Sequence, residues 1–586
     1  MTSTPRTRWD ITPFAPVEFL NAAPGTHPLV MQVLWARGTR DPEIAKAFIA
    51  SDAIQVDPFA LPDMAVAVDR IQRAIGAGEK IAVYGDYDCD GVTSCALLMQ
   101  VFAALKARAQ VYIPDRFEEG YGLHADALDK LKADGVSLVI TVDCGARANT
   151  EAVHAREIGL DLIITDHHAL EHGNLPAAIA VINPTRADPA NTYPFRLLAG
   201  VGVAFRLAQA LLRAYADSGV TVACDEESLL DLVAIGTVAD VAQLIGENRA
   251  LVQAGLKRIN TQPRVGARYL ATAAGVKVGQ VTSQTIGFGI GPRLNAAGRI
   301  EHALGAYNLL IATSESEAAE IVQELNARNE QRQKTTDSVT RSAEALTLAD
   351  RQADAPLLFA ASEDYSSGVI GLAAARLVER FYKPAVVVAT QMGEARGSCR
   401  SVEGFNITAA LDLCKDLLAR HGGHAAAAGF TIPAVLLDPL RERLIEIARA
   451  QQPEGGWKRA LNIDAEISLA KTTMATLDAL AVLEPHGMGN PRPTFIARGA
   501  IVQGIRRVGK THGHDGATPP PGPHLQLRLK DAKNVTWEAI GWRMGERASE
   551  VSAGVKVDVV FQLDINEWNG ERKLQLVMQD FMSSAV

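Results

Sequence analysis

Three aspartates on alternate positions, Asp86, Asp88 and Asp90, punctuate the run KIAVYGDYDCDGVTS from Lys80 to Ser94. The apolar stretch Ile81-Ala82-Val83-Tyr84 has strand length, Gly91 turns the chain, and Val92 to Leu105 has a helical pattern. The carboxylates therefore fall on a strand-to-helix turn, and ligands of parallel α/β sheets bind off the carboxyl ends of strands. Carboxylates packed together repel, and a divalent cation with oxygen ligands, magnesium or manganese, removes that repulsion. A solvated acidic turn is the competing reading of this motif alone.

Two further apolar runs end in residues of the same chemistry. Leu138 to Val142 leads into Asp143-Cys144-Gly145, and Leu162 to Thr165 leads into Asp166-His167-His168. The run LLDLVAIGTV from Leu229 to Val238 reads as a buried helix ending near Asp240. Taken singly, a strand-end aspartate is often a helix cap, and a His pair is often only hydrogen-bonded. Taken together, Asp86, Asp88, Asp90, Asp143, His167, His168 and Asp240 converge on one sheet edge. A metal cluster is what makes such a concentration of negative charge reasonable.

The elements that must position these residues alternate between β and α from about residue 78 to 245. Further apolar runs at Gln110 to Ile113, Leu160 to Thr165 and Ile179 to Ile182 are nearly continuous rather than alternating. That is the pattern of parallel strands buried on both faces.

At 586 residues the chain exceeds one core, and three or four domains are expected. Apolar content of 48% and charged content of 21% fit a globular protein. No segment approaches the roughly 18 uncharged apolar residues of a membrane span. MTSTPRTRWDITP lacks an apolar signal core, so a cytoplasmic location is expected. The 6 scattered cysteines include no Cys-x-x-Cys, against zinc and against a disulfide framework. A net charge of −9 neither advertises nor excludes nucleic acid, since a local basic groove suffices.

The set GDYDCDGVTS, VDCG, TDHH and AIGTVADV resembles the motifs of the DHH phosphoesterase superfamily, and the longer features below are similar to its RecJ branch, the single-strand-specific 5′-to-3′ DNA exonucleases. The motifs recur in order from about 80 to 495. The resemblance implies two ions, Mn2+ or Mg2+, held by Asp88, Asp90, Asp143, His167 and Asp240, with Asp143 bridging and Asp86 also inside the motif. Manganese is favoured because imidazole joins the carboxylates. Related pyrophosphatases carry a His ligand where this chain has Tyr84, leaving open whether Tyr84 or Asp86 completes the first shell. Asp143 and His168 are the expected catalytic residues, His168 acting beside the metals rather than on them.

Several other segments acquire expectations. In IPDRFEEGYGL, Arg116 leaves a strand end on the same edge, either to meet a substrate phosphate or to pair with Glu118 or Glu119. The stretch TIGFGIGPRLNAAGR lacks dinucleotide-fingerprint spacing; it resembles the RecJ motif joining the two halves, its glycines and Arg293 and Arg299 gripping phosphate. Ser314 to about Asp350 is a charged helix expected to cross solvent between domains. From Pro356 a second α/β unit resembles the substrate-binding domain that accompanies DHH domains. There His421-Gly422-Gly423-His424 is expected to form a glycine turn touching substrate, and Ser398 and Arg400 match positions that hold a terminal 5′ phosphate.

Beyond QQPEGGW, alternating runs at Leu525 to Leu529, Val535 to Gly541, Val555 to Leu563 and Lys573 to Val577 predict a small barrel, an OB-fold by the same resemblance. Arg506, Arg507, Lys510, Trp537, Trp542 and Trp568 are candidates to hold a strand, with a mobile loop from Thr511 to Pro523. GIRRVGKT fits a phosphate-loop pattern, but HGHDGATPPPGP after it cannot form the required helix. The expected architecture is α/β: an N-terminal extension on the first domain (1–77), a DHH-type parallel-sheet domain (78–310), a helical connector (311–352), a second α/β domain (353–452) and an OB barrel (458–586). The expected activity is two-metal hydrolysis of single-stranded DNA from its 5′ end to 5′-mononucleotides, in repair and recombination. The expected partners are single-stranded DNA, a single-strand-binding protein and a helicase, with no membrane and a monomeric chain. A small-substrate phosphoesterase and a catalytically dead DNA-binding scaffold are the alternatives.

Overall fold

A computed structural model describes the chain except residues 1–6, 51–55, 117, 171–173, 188, 190, 301–302, 350–353, 392, 510–521, 532, 569–570 and 585–586, and except the side chains of Arg299, Ile300 and Trp568. Its residues form two compact units, one of 53–458 and one of 5–52 with 459–586.

The first unit begins with a five-stranded parallel sheet. Its spatial order is Ala109–Tyr112, Lys80–Gly85, Val136–Val142, Asp161–Thr165, Ala180–Ile182. The strands are almost wholly buried because helices cover both faces. Ile81, Val83, Leu138 and Ile140 face the helices Cys89–Ala104 and Gly200–Asp217. Ala82, Tyr84, Val139 and Ile164 face Ala125–Ala133 and Asn149–Glu157. The connection from Lys80–Gly85 runs one way along the sheet and that into Val136–Val142 returns past it. The crevice at such a reversal is where doubly wound sheets hold ligands. Asp86 and Asp143 stand at the ends of those two strands.

The helix Glu315–Ala349 has 35 residues, about 50 Å of rise. It does not cross solvent as expected. Ala318, Val322 and Leu325 belong to the first core, and Val339 and Ala343 to the core of the second α/β portion. Five widely spaced apolar residues are enough when each half of a helix needs only one narrow stripe.

The second portion is a mixed sheet in the order Arg420–His424, Ala427–Pro433, Glu394–Arg400, Ala385–Gln391, Leu358–Ser362. His421 to His424, expected as a turn, is an edge strand paired in register with Ala427 to Phe430. Glycine is tolerated there because an edge strand packs on one side only.

In the second unit, Phe495–Val508, His524–Lys530, Thr536–Gly541, Glu571–Ser583 and Lys556–Trp568 pair in that order, and the last pairs back onto the first. This closed five-stranded barrel leaves no free edge. The phosphate-loop pattern is strand up to Val508; Lys510 and most of the expected mobile loop lie outside the described residues. Residues 7–50 belong to this unit, not to the first domain as expected. Arg8–Ile11 pairs in parallel with Ala460–Ile463, Trp9 Nε1 donates to Asp580 Oδ2 at 2.8 Å, and Val30, Met31, Val33 and Leu34 join the barrel's core. Proximity along the chain misplaced them, since strand pairing across some 450 residues has no local signature. Among the described residues, no helix is long and apolar enough to cross a membrane.

Candidate metal centre

Asp88 caps the helix Cys89–Ala104, its Oδ1 accepting from Asp90 N at 2.9 Å and Gly91 N at 3.1 Å. Capping uses one oxygen and leaves the other for a cation. Asp90 is fully buried, and its carboxylate accepts from Gly200 N at 2.7 Å and Val201 N at 2.8 Å at the start of Gly200–Asp217. That helix fixes Asp143 as well. Asp143 has φ of 60°, a strained setting for a residue with a Cβ. Any Cβ on Gly200 would stand 2.7 Å from Asp143 Cβ and Oδ1, so only glycine fits.

These turns bring ligand atoms together. Asp86, Asp88 and Asp143 form one set and Asp90, His167 and Asp240 another, while Asp143, Asp166, His167 and His168 overlap both, each group with its atoms within 4.8 Å of one another. His167 Nε2 lies 3.1 Å from Asp143 Oδ1 and 3.9 Å from oxygens of Asp90 and Asp240. Asp143 thus stands between the two sets. Asp86 Oδ1, Asp143 Oδ1 and His167 Nε2 are buried with no hydrogen-bond partner. Buried polar atoms are ordinarily paired, and three orphans converging in one pocket fit a metal. Tyr84 is not among them: its hydroxyl donates to Gly122 O at 2.9 Å and its ring stacks on Tyr112.

The electrostatics agree. Burial, then repulsion by Asp88, raises Asp86 well above the usual carboxylate range and Asp90 to about 7. Burial and the charges of Asp90 and Asp88 raise Asp143, and raise Asp240 to about 9. Burial and neighbouring His168 lower His167 to about 4, leaving the neutral imidazole that ligates metals. His168 is opposite: burial would lower it, but the hydrogen bond and charge of Asp166, with the charges of Asp240 and Asp90, together outweigh burial and bring it up to about 9.

Asp166 was absent from the expected site, yet it ties the two turns together. Its Oδ1 accepts from His167 N at 2.7 Å, His168 N at 3.1 Å and, at 2.8 Å, pairs with His168 Nδ1; its Oδ2 accepts from Ala146 N at 2.7 Å. Burial works against its charge, but the bonds from His168 and the backbone hold it below the usual range. Asn295 was also missed; its Oδ1 accepts from Cys89 N at 2.7 Å and braces the triple-aspartate turn. The signal for Asp166 was its place at a strand end beside His167. Asn295 had none.

The glycine-rich segment around Asn295 is helical throughout, running through Ile286–Ile290 into Gly291–Ile300. Arg293 does not reach into the site as expected. Its guanidinium donates to Asn326 Oδ1, Gly289 O and Ala273 O, each at 2.7 Å, which ties helices together. The side chain of Arg299 lies outside the described residues.

A cleft of about 1050 Å3 opens between the first sheet's edge and the second portion of the same unit. Arg116 and His168 border it on one side, with Arg116 Cζ 5.0 Å from the centroid of the Tyr87 ring. Ser398, Arg400, Gly422, Gly423 and His424 border it on the other. Arg400 donates to Ser398 Oγ at 3.3 Å and Cys399 O at 2.8 Å. A Cβ on Gly371, at the start of Ile370–Phe381, would stand 2.9 Å from Ser398 Oγ. His421 also borders the cleft, with its Nε2 paired to Asp412 Oδ1 at 2.8 Å. In the barrel, Trp537 is core at 6% exposure and Trp542 is 58% exposed.

Carboxylates and one imidazole grouped in two sets at the switch point of a parallel sheet define a metal-dependent phosphoesterase centre of the DHH type. Residues 80–237 match the DHH family, N-terminal domain; 354–450 match the DHHA1 domain; 463–580 match the RecJ OB domain. The chain is 38% identical over 558 residues to the single-stranded-DNA-specific exonuclease RecJ of Bacillus subtilis, covering 94% of this chain and 68% of that protein. It is 34% identical over 535 residues to the Escherichia coli enzyme of the same name, covering 88% and 89%. The crystal structure of Thermus thermophilus RecJ in complex with Mn2+ superposes with a TM-score of 0.82 at 30% identity, over 99% of this chain and 80% of that one. The chain belongs to the RecJ family.

Proposed function

We propose that the protein is a two-metal exonuclease that hydrolyses single-stranded DNA from its 5′ end and releases 5′-mononucleotides. The observation that carries this reading is the convergence of Asp86, Asp88, Asp90, Asp143, His167 and Asp240 into two adjoining ligand sets, with Asp143 Oδ1 3.1 Å from His167 Nε2 and buried orphan atoms on Asp86, Asp143 and His167. Asp86, Asp88 and Asp143 would hold one Mn2+ or Mg2+, and Asp90, His167 and Asp240 the other. When bound, the ions supply Lewis acidity and charge neutralisation for phosphodiester hydrolysis.

The protein's own residues do the rest. Gly200 and the strained backbone at Asp143 set the Asp143 carboxylate beside His167. Asp166 holds His168 protonated, turned so that its free nitrogen can donate to a phosphate oxygen as charge develops there. Arg116, kept over Tyr87, pairs with the same phosphodiester. Ser398 and Arg400 bind the terminal 5′ phosphate across the cleft, so the first linkage lies over the metal ligands. Gly422, Gly423 and His424 form the wall beside them. The barrel, with Trp542, Arg506 and Arg507, carries the strand.

Cytoplasmic location, a monomeric chain, and work beside a helicase and a single-strand-binding protein belong to the same reading. Elemental analysis of wild type and Asp143→Ala, paired with hydrolysis, tests it. Two Mn2+ per wild-type chain and loss of both metal and cleavage in a folded variant are expected; wild-type cleavage by Asp143→Ala overturns the assignment.

A further inference from the structure

The register of the second sheet lays out the part of one face that borders the cleft in rows. Arg400, Ala427 and His424 share one row, Ser398, Gly429 and Gly422 the next, and Arg396, Thr431 and Arg420 the third. All three rows border the cleft. Arg396 and Arg420 are exposed, and among the described residues neither has a carboxylate partner. Two unpaired guanidiniums flanking a threonine hydroxyl make an anion site. Beyond Ser398, Gly429 and Gly422 carry no side chain into the row between, and open space stands where a Cβ on Gly422 would be.

Two residues along a strand span about 6.7 Å, so arginine side chains of the third row reach an anion continuing outward from Ser398. From these rows we infer that the cleft has a second phosphate station, at Arg396, Thr431 and Arg420, and accepts single strands ending in a 5′-polyphosphate. The α-phosphate rests on Ser398 and Arg400, and the β- and γ-phosphates on the outer row. This rests on the reading of Ser398 and Arg400 as the 5′-phosphate pocket.

The test is binding of one 3′-labelled single strand carrying a 5′-hydroxyl, 5′-monophosphate or 5′-triphosphate end, by anisotropy in chelator so that no turnover occurs. Wild type should bind the triphosphate at least as tightly as the monophosphate. Arg396→Ala/Arg420→Ala should weaken the triphosphate about tenfold and the monophosphate less than about twofold. Arg396→Gln/Arg420→Gln, which keeps side-chain bulk, should do the same with an unchanged melting temperature. Equal weakening of all three ends means diffuse attraction and overturns the station, as does rejection of the triphosphate by wild type. The two failures separate. An unchanged monophosphate preference in Arg400→Ala removes the pocket and this inference with it. Loss of that preference in Arg400→Ala, combined with an indifferent double variant, removes the outer station alone.

Discussion

Metal binding at this centre should release protons. In the folded protein without metal, Asp90 is raised from 3.8 to about 7 and Asp240 from 3.8 to about 9, with Asp86 and Asp143 also raised. For Asp90 the rise amounts to about 4 kcal/mol at about 1.4 kcal/mol per pKa unit. The sign follows from linkage. A carboxyl raised in the folded state binds more protons folded than unfolded, so metal-free stability is fullest at low pH and falls as pH rises through the folded pKa values. A divalent ion reverses the order, because it binds the deprotonated set. At pH 7, Asp240 is almost wholly protonated and Asp90 half so. Saturation with Mn2+ should therefore expel between about one and three protons per chain. Titration calorimetry in buffers of different ionisation enthalpy counts them directly. The melting temperature without metal should fall from pH 6 to pH 9 while the Mn2+-induced increase grows. Zero proton release at pH 7, or a metal-free melting temperature that climbs over that range, would refute the reasoning.

Arg400→Ala should erase the preference for 5′-phosphorylated over 5′-hydroxyl strands, lowering kcat/KM for the former about tenfold, as read in competition assays. Gly200→Ala should remove most activity and weaken Mn2+ binding, since the new methyl meets Asp143 at 2.7 Å; a fully active variant would mean that the turn tolerates displacement. Asn295→Ala should cost about 1 kcal/mol in a denaturant melt and raise the Mn2+ concentration needed for half-maximal rate. If the barrel holds the backbone, strand affinity should fall steeply with salt, and a flat salt response would contradict that contact.

The gathering of the candidate metal ligands was legible because parallel strands advertise themselves. Continuous apolar runs ending in Asp86, Asp143 and His167 place those residues at one edge, and position along a strand is enough to do so. The partners that orient them were not legible. Asn295 meets Cys89 across 206 residues through helix packing, and no local pattern encodes that contact. The glycines from Gly287 to Gly298 looked like a phosphate loop because composition cannot distinguish backbone freedom from close helix contact. Arg293 was misread for the same reason: its acceptors are two carbonyls and Asn326. His421 to His424 was read as a turn because its glycines hide the pairing with Ala427 to Phe430 that makes it an edge strand.

The central claim is that the cation-binding centre at Asp143 cuts single strands from the 5′ end. The direct measurement follows 5′- and 3′-labelled single strands and the matching duplex with Mn2+, using wild type and Asp143→Ala. Labelled mononucleotide should leave the 5′-labelled strand at once, the 3′-labelled one should shorten gradually, the blunt duplex should stay intact and the variant should cut nothing. Release that begins at the 3′ end, equal digestion of duplex, or full activity in Asp143→Ala would contradict it.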